Sequence, residues 1–237
     1  MAKSEIIKDL ANSKVDIFTA LKRAKVLFTA LGNDDLLLWV NNELSGYPND
    51  SPLPDYRIVR GTLVGSYLRG SMAYHMKWTK VSIPLGEMPI EVQDALLNVQ
   101  LFESVTGLHK LVELSSSENN PLAKAVPADF FPYISACNKD PSMVITSANV
   151  VISQHIIWDV LSVIENMLLN ILIMLEKEFG ILDELDIDFS GKQPDELDEF
   201  AKKLVILLYN DNRVSIGDHN RIKNSTLASW LKHQDDN

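Results

Sequence analysis

Five polar residues, His155, Asp159, Ser162, Asn166 and Asn170, follow one another at intervals of four, three, four and four in the apolar stretch 153–179. That spacing places them on one stripe of a helix. A histidine one turn from a carboxylate can serve as a general base with its orienting acid, and Ser162 is near enough to be considered as a nucleophile. The competing reading is the solvent face of an otherwise apolar helix. A serine on the same helix face as its base reaches attack geometry with difficulty, so the solvent-face reading is preferred. His155 and Asp159 nevertheless stand as catalytic candidates, together with His75, for which the sequence identifies no partner carboxylate.

Other chemistries lack their residues. The five histidines (75, 109, 155, 219, 233) show neither HxxxH nor HExxH spacing, and the chain contains no GxGxxG, GxxxxGK[ST] or GxSxG motif. The acidic run DELDID, residues 183–188, lacks the glycine and frame of a calcium loop and reads as a solvated linker. A single cysteine, Cys137, excludes an internal disulfide and reads as a small buried hydrophobe. Neither a metal nor a cofactor is therefore expected. With no signal-peptide pattern in MAKSEIIKDL, the expected location is the cytoplasm.

Charge is more informative. The 237 residues carry a net charge of −10, which disfavours whole-molecule attraction to nucleic acid or an anionic membrane. Residues 56–80, however, hold Arg57, Arg60, Arg69, Lys77 and Lys80 and no carboxylate, whereas residues 176–199 hold ten carboxylates against two lysines, a net −8. The basic stretch interleaves its cations with Tyr67, Tyr74 and Trp78, a composition that can hold phosphates and stack on bases. This is the candidate binding surface. Pairing of its charges within the chain or between subunits is the favoured alternative to nucleic-acid binding.

The elements that must position these groups follow from periodicity and breakers. A short helix is expected near Ser4–Leu10, then one over 13–31 with Ser13 as N-cap and Gly32 as stop. Asn33 caps a third that ends at Gly46 in the left-handed conformation. A strand over 56–68 turns at Arg69–Ser71 into a second over 72–83, with Met72, Tyr74, Met76 and Trp78 on the packing face and His75 and Lys77 on the other. Two helical pieces cover 89–114, with a helical turn at 129–137 and a third strand at 143–153. A long helix runs to Gly180, and a last helix spans 194–209. The run MLLNILIML, residues 167–175, is short of the ~20 residues needed to span a bilayer and reads as core. Residues 212–227 read as short β, with Ile216 and Ile222 six apart.

The segment WVNNELSGYPND, residues 39–50, reads as a helix terminator, Gly46 stopping the helix and Pro48 preventing its continuation. Followed by PDYRIVRGTL it resembles the AbiTii domain of bacterial abortive-infection proteins. The helices of 21–40 agree, as do SIPLGEMP (82–89), the ESV helix start (103–105) and the LEKEFG helix end (175–180). The resemblance covers residues 4–180 and implies phage defence by abortive infection. It brings no catalytic residues. It does make Glu43, Gly46, Tyr47, Pro48 and Tyr56, with Arg57 and Arg60, a linked structural signature, in which a Glu43–Arg pair beneath Tyr47 is expected.

The expected fold is α+β and mostly helical: N-terminal helices, a small antiparallel sheet of about three strands, one long helix, then a short helix and β-tail. The expected divisions are an AbiTii-like domain at 1–180, an acidic linker and helix at 181–211, and a tail at 212–237 that could drive homo-oligomerisation. Two functions remain open. One is a sensor or assembly module for a phage component or partner effector, without a membrane. The other is a metal-independent, RNase-like toxin that uses the basic hairpin as its substrate surface.

Overall fold

Capping chemistry sets the first three helices. The computed structural model describes residues 3–71, 73–117, 121–189 and 191–209; the expected β-tail lies outside them. Helix α1 spans Glu5–Ala11. Helix α2 (Ile17–Leu31) is capped by Asp16, whose carboxylate accepts the Thr19 backbone N–H at 2.9 Å. Ser13, the expected cap, instead sits at φ 52° in the turn between α1 and α2. Gly32 closes α2 in the left-handed conformation, and the Asn33 side chain accepts the Leu36 N–H at 3.0 Å to open α3 (Asp34–Ser45). Gly46 ends α3 at φ 92°, ψ 158°. That is the extended positive-φ region reserved for glycine, not the left-handed helical one expected.

The anticipated strand over 56–68 is broken in two. Asp55–Arg57 form a 3-10 turn, and β1 (Ile58–Arg60) pairs antiparallel with β4 (Asn98–Gln100). After Gly61 the chain enters a second sheet as β2 (Thr62–Gly70). A Cβ on Gly61 would meet Val150 Cγ1 at 2.5 Å and the Val151 carbonyl oxygen at 2.9 Å, so the crossing admits no side chain.

The remaining elements are β3 (His75–Ser82), α4 (Ile90–Leu97), α5 (Val105–Ser117), β5 (Leu122–Ala125), α6 (Phe131–Cys137), β6 (Met143–Ile152), α7 (Gln154–Phe179) and α8 (Pro194–Tyr209). The larger sheet is antiparallel in the order β3-β2-β6-β5. The α+β, mostly helical class is therefore as expected. The sheet has a fourth strand, β5, whose sequence LAKA carries no strand signal and is fixed by pairing with β6.

Two cores result. The main one gathers α1, α2, α3, α5 and α8 around α7, which buries Ile157, Val160, Leu161, Ile164, Met167, Leu168, Ile171, Leu172 and Leu175 at helical spacing. The second lies between one face of the larger sheet and α4 and α6, with Leu63, Tyr67, Ile145, Val150, Leu97 and Ile134. By length and composition α7, with mean hydropathy 1.8 over its most apolar 18 residues, is the one described helix that could cross a membrane. Here it is the central core helix.

Segment 181–189, read as a solvated linker, is anchored. Leu182 and Ile187 are buried in the main core, while the carboxylates between them face outward. The N-terminus closes on the same region. The Ser4 backbone N–H, the Ser4 hydroxyl and the Lys3 ammonium all donate to Glu176, and Ser4 Oγ accepts the Leu182 N–H at 3.0 Å. Partial burial opposes ionisation of Glu176, but the hydrogen bonds from Lys3 and Ser4 outweigh it and lower its pKa to about 2.

Candidate functional site

Of the signature residues, Glu43, Tyr47, Tyr56 and Arg57 converge with Trp39 on one buried knot beside Gly46, and Arg60 stays outside it. Trp39 and Glu43 lie one turn apart on α3, Tyr47 follows the Gly46 stop, and Tyr56 and Arg57 come from the 3-10 turn before β1. Glu43 and Arg57 are both 0% exposed and form an ion pair through Oε2 and Nη2. The other carboxylate oxygen accepts both phenols, Tyr47 and Tyr56, at 2.7 Å each. The Trp39 indole N–H donates to the Tyr56 oxygen at 2.9 Å, and the Arg57 guanidinium lies 5.2 Å from the Tyr47 ring centroid. The Glu43–Arg pair expected beneath Tyr47 is thus present, with Arg57 as the cation.

Backbone contacts tie the knot to the strand of chain before α5. Arg57 Nη1 donates to the Glu103 carbonyl at 2.6 Å, and the Tyr47 N–H donates to the Phe102 carbonyl at 2.7 Å. A Cβ on Gly46 would lie 2.9 Å from that same Phe102 oxygen, which explains the glycine. Sequence reasoning found the side chains of this knot but not residues 101–103, because a carbonyl acceptor carries no residue-type signal.

Burial decides what the knot can do. It opposes the Arg57 charge, yet the Glu43 carboxylate more than offsets it and the Arg57 pKa lies above its ordinary value. Burial and then the Glu43 charge push both phenols well above theirs. Neither tyrosine can shed its proton near neutral pH, and the carboxylate is fully occupied. Among the described residues Glu43 and Arg57 are wholly covered, and Tyr47 and Tyr56 are 7% exposed each. The arrangement clamps α3 to β1 and the 101–103 segment; it has no access for a substrate. Pro48 lies outside the knot and accepts the Ser51 N–H at 3.0 Å in the following turn.

The five cations of the candidate binding surface are not brought together. Arg57 is inside the knot. Arg60 pairs with Asp94 on α4, and Arg69 pairs with Asp140 at 2.5 Å. Hydrogen bonds from Ser142, and then the Arg69 guanidinium, hold the Asp140 carboxyl below its ordinary range. Lys77 and Lys80 make no ion pair among the described residues. Charge pairing therefore does occur within the chain, but not with the acidic stretch. There Glu176 pairs with Lys3, Glu178 with Lys192 and Asp198 with Lys202.

The hairpin carrying the two lysines is built firmly and covered poorly. Trp78 stacks on Tyr67 at 5.2 Å and 14°. Tyr74 and Met76, expected on the packing face, are 88% and 66% exposed because α6 does not extend beneath the hairpin end. A bulge places Thr79 and Lys80 opposite Ser66 alone, with Lys80 at φ 54°, a conformation that costs a side-chain-bearing residue about 1 kcal/mol and re-aims it.

His155 and Asp159 are exposed, as are Ser162, Asn166 and Asn170, so the stripe is the solvent face of α7. The contact found for His155 is with Ser153 Oγ at 3.3 Å. His75 is exposed on β3, at the other end of the sheet from the start of α7. Cys137 is half-buried at the end of α6. No group of three potential metal ligands occurs among the described residues.

A helix-rich α+β domain clamped by a buried acid–arginine–tyrosine knot is the class these observations define. The chain belongs to the AbiTii family, whose model matches residues 3–198 and so runs into α8. AbiTii is an abortive-infection domain, and membership implies a role in phage defence. No curated protein and no solved structure gave a match.

Proposed function

We propose that this AbiTii chain serves abortive infection as a sensing and assembly module of the bacterial cytoplasm. It binds a phage component or a partner effector and self-associates, without chemistry of its own on nucleic acid. The observation that carries this reading is the division of its polar groups. Those gathered into a constellation are sealed in the knot, and the exposed candidates His75, His155 and Asp159 are dispersed. The hairpin end offers exposed aromatic, thioether and ammonium groups on a rigid base, a composition suited to protein recognition.

Phage plaquing on cells that express the chain tests this. The double substitution His75→Ala/His155→Ala is expected to leave protection intact, and a chain ending at Tyr209 to lose it. Size-exclusion chromatography with light scattering is expected to give an oligomer for the full chain. Loss of protection in the histidine variant, with cellular RNA cleavage lost in parallel, would replace this reading with a nuclease toxin.

A further inference from the structure

The hairpin end and the acidic stretch are two poles of charge that stand on different cores: Tyr67 and Trp78 pack in the second, Leu182, Ile187 and Phe200 in the main one. Gly70 pairs with His75 and Arg69 with Met143, so β6 starts beside the hairpin end and runs away from it to Ile152. There α7 begins, a helix of 26 residues and about 39 Å. At the far end Phe179 meets Phe200 of α8 edge-on at 5.2 Å. Around that contact Asp183, Glu184, Asp186, Asp195, Glu196 and Glu199 are exposed and make no ion pair among the described residues. Each pole therefore holds charge that makes no ion pair among the described residues, and none of the ion pairs found joins the two.

We propose that the hairpin end, Tyr74, Met76, Lys77 and Lys80, docks on the acidic pole at 183–199 of a second copy. The proposal rests on the self-association reading above and adds to it a contact outside the tail at 212–237. Tyr74 and Met76 are the anchors that lose water, and the two lysines steer and orient the encounter. The surfaces differ, so the contact is heterologous and each copy keeps one pole free for the next. A second copy is favoured over nucleic acid because the three arginines of the basic stretch are engaged in ion pairs. Two lysines give few phosphate contacts on a chain of net charge −10.

The test is sedimentation velocity of the full chain across a concentration series. Association of the wild type is expected to weaken about tenfold or more between low and high salt. Lys77→Glu/Lys80→Glu and Glu184→Lys/Glu199→Lys are each expected to weaken it by a similar factor with unchanged melting temperature. Mixing the two variants is expected to restore association, since the unaltered hairpin end of one meets the unaltered acidic pole of the other. Tyr74→Ala is expected to weaken association with its salt dependence retained. Undiminished association of both charge variants at all salts would overturn the proposal while leaving self-association standing on another surface. A wild type that is monomeric throughout would overturn both. A monomeric protein that binds labelled single-stranded RNA, and loses it in Lys77→Glu/Lys80→Glu, would reassign the hairpin to nucleic acid.

Discussion

The knot around Glu43 and the hairpin around Lys77 are made from much the same side chains. Each combines cations with tyrosine and tryptophan, and they lie within one stretch of about forty residues. In the knot the Glu43 carboxylate oxygens and both phenols have partners inside the chain, and solvent is excluded. At the hairpin end Tyr74 and Met76 are largely exposed, and Lys77 and Lys80 make no ion pair among the described residues. Composition does not separate the two; the neighbouring elements do. Residues 101–103 and α3 close over Arg57, whereas the end of β3 that carries Met76 stays largely in solvent. One arrangement is worth stability to the fold, and the other has value only toward another molecule.

The strongest way to break this contrast is to strand a charge in the knot. Glu43→Ala leaves Arg57 buried and unpaired and should cost about 3–5 kcal/mol, on the order of 10 °C in Tm, by calorimetry or denaturant titration. Arg57→Met should cost a similar amount. The pair Glu43→Gln/Arg57→Met should recover part of that loss, because a neutral amide still accepts a phenol and strands no charge. A double variant no better than Arg57→Met would mean that the ion pair is not what holds the knot. Gly46→Ala comes next, at about 1–3 kcal/mol, from its positive φ and the approach to the Phe102 carbonyl.

Acid should act on the opposite end of the fold. The Glu176 carboxyl ionises more readily in the folded chain, with a pKa of about 2 against an ordinary 4.5. Between those values the unfolded chain binds more protons, so stability falls as the pH is lowered through that window. Ser4→Ala should reduce this dependence and cost about 1 kcal/mol in a denaturant series. At the hairpin the expected effect on stability is smallest. Lys77→Glu/Lys80→Glu and His155→Ala should each stay within about 0.5 kcal/mol of wild type, measured in the same way.

The sequence exposes the knot more fully than it exposes the hairpin. Glu43 and Tyr47 are separated by a helical turn and a glycine stop, and the motif offers Arg57 and Arg60 as the paired cation without choosing between them. Trp39, four residues before Glu43, is visible as a member of the knot only once Tyr56 is placed. The helices were readable because their caps and stops are local: Asn33, Gly32, Gly180 and Pro194 all act as their chemistry dictates. Asp16 displaced Ser13 because both are good caps and only the α1–α2 turn distinguishes them. The break at Gly61 and the strand at Leu122–Ala125 were not readable, since each depends on β6, more than twenty residues away or more. Whether Tyr74 and Met76 are covered is a question about α6, and the alternation of a strand cannot answer it.

The closure of Ser4 on Glu176 and Leu182 bears on how the protein is made. It joins positions separated by more than 170 residues, so a chain emerging from the ribosome cannot form it until Leu182 has left the exit tunnel. Until then Ile6, Ile7 and Leu10 of α1 lack the groove that buries them. Contacts this distant in sequence slow folding, because chain entropy is lost before they contribute. The maturation of this domain is thus timed by its own C-terminal third, and a prematurely terminated product would keep an apolar N-terminal helix available to chaperones and proteases.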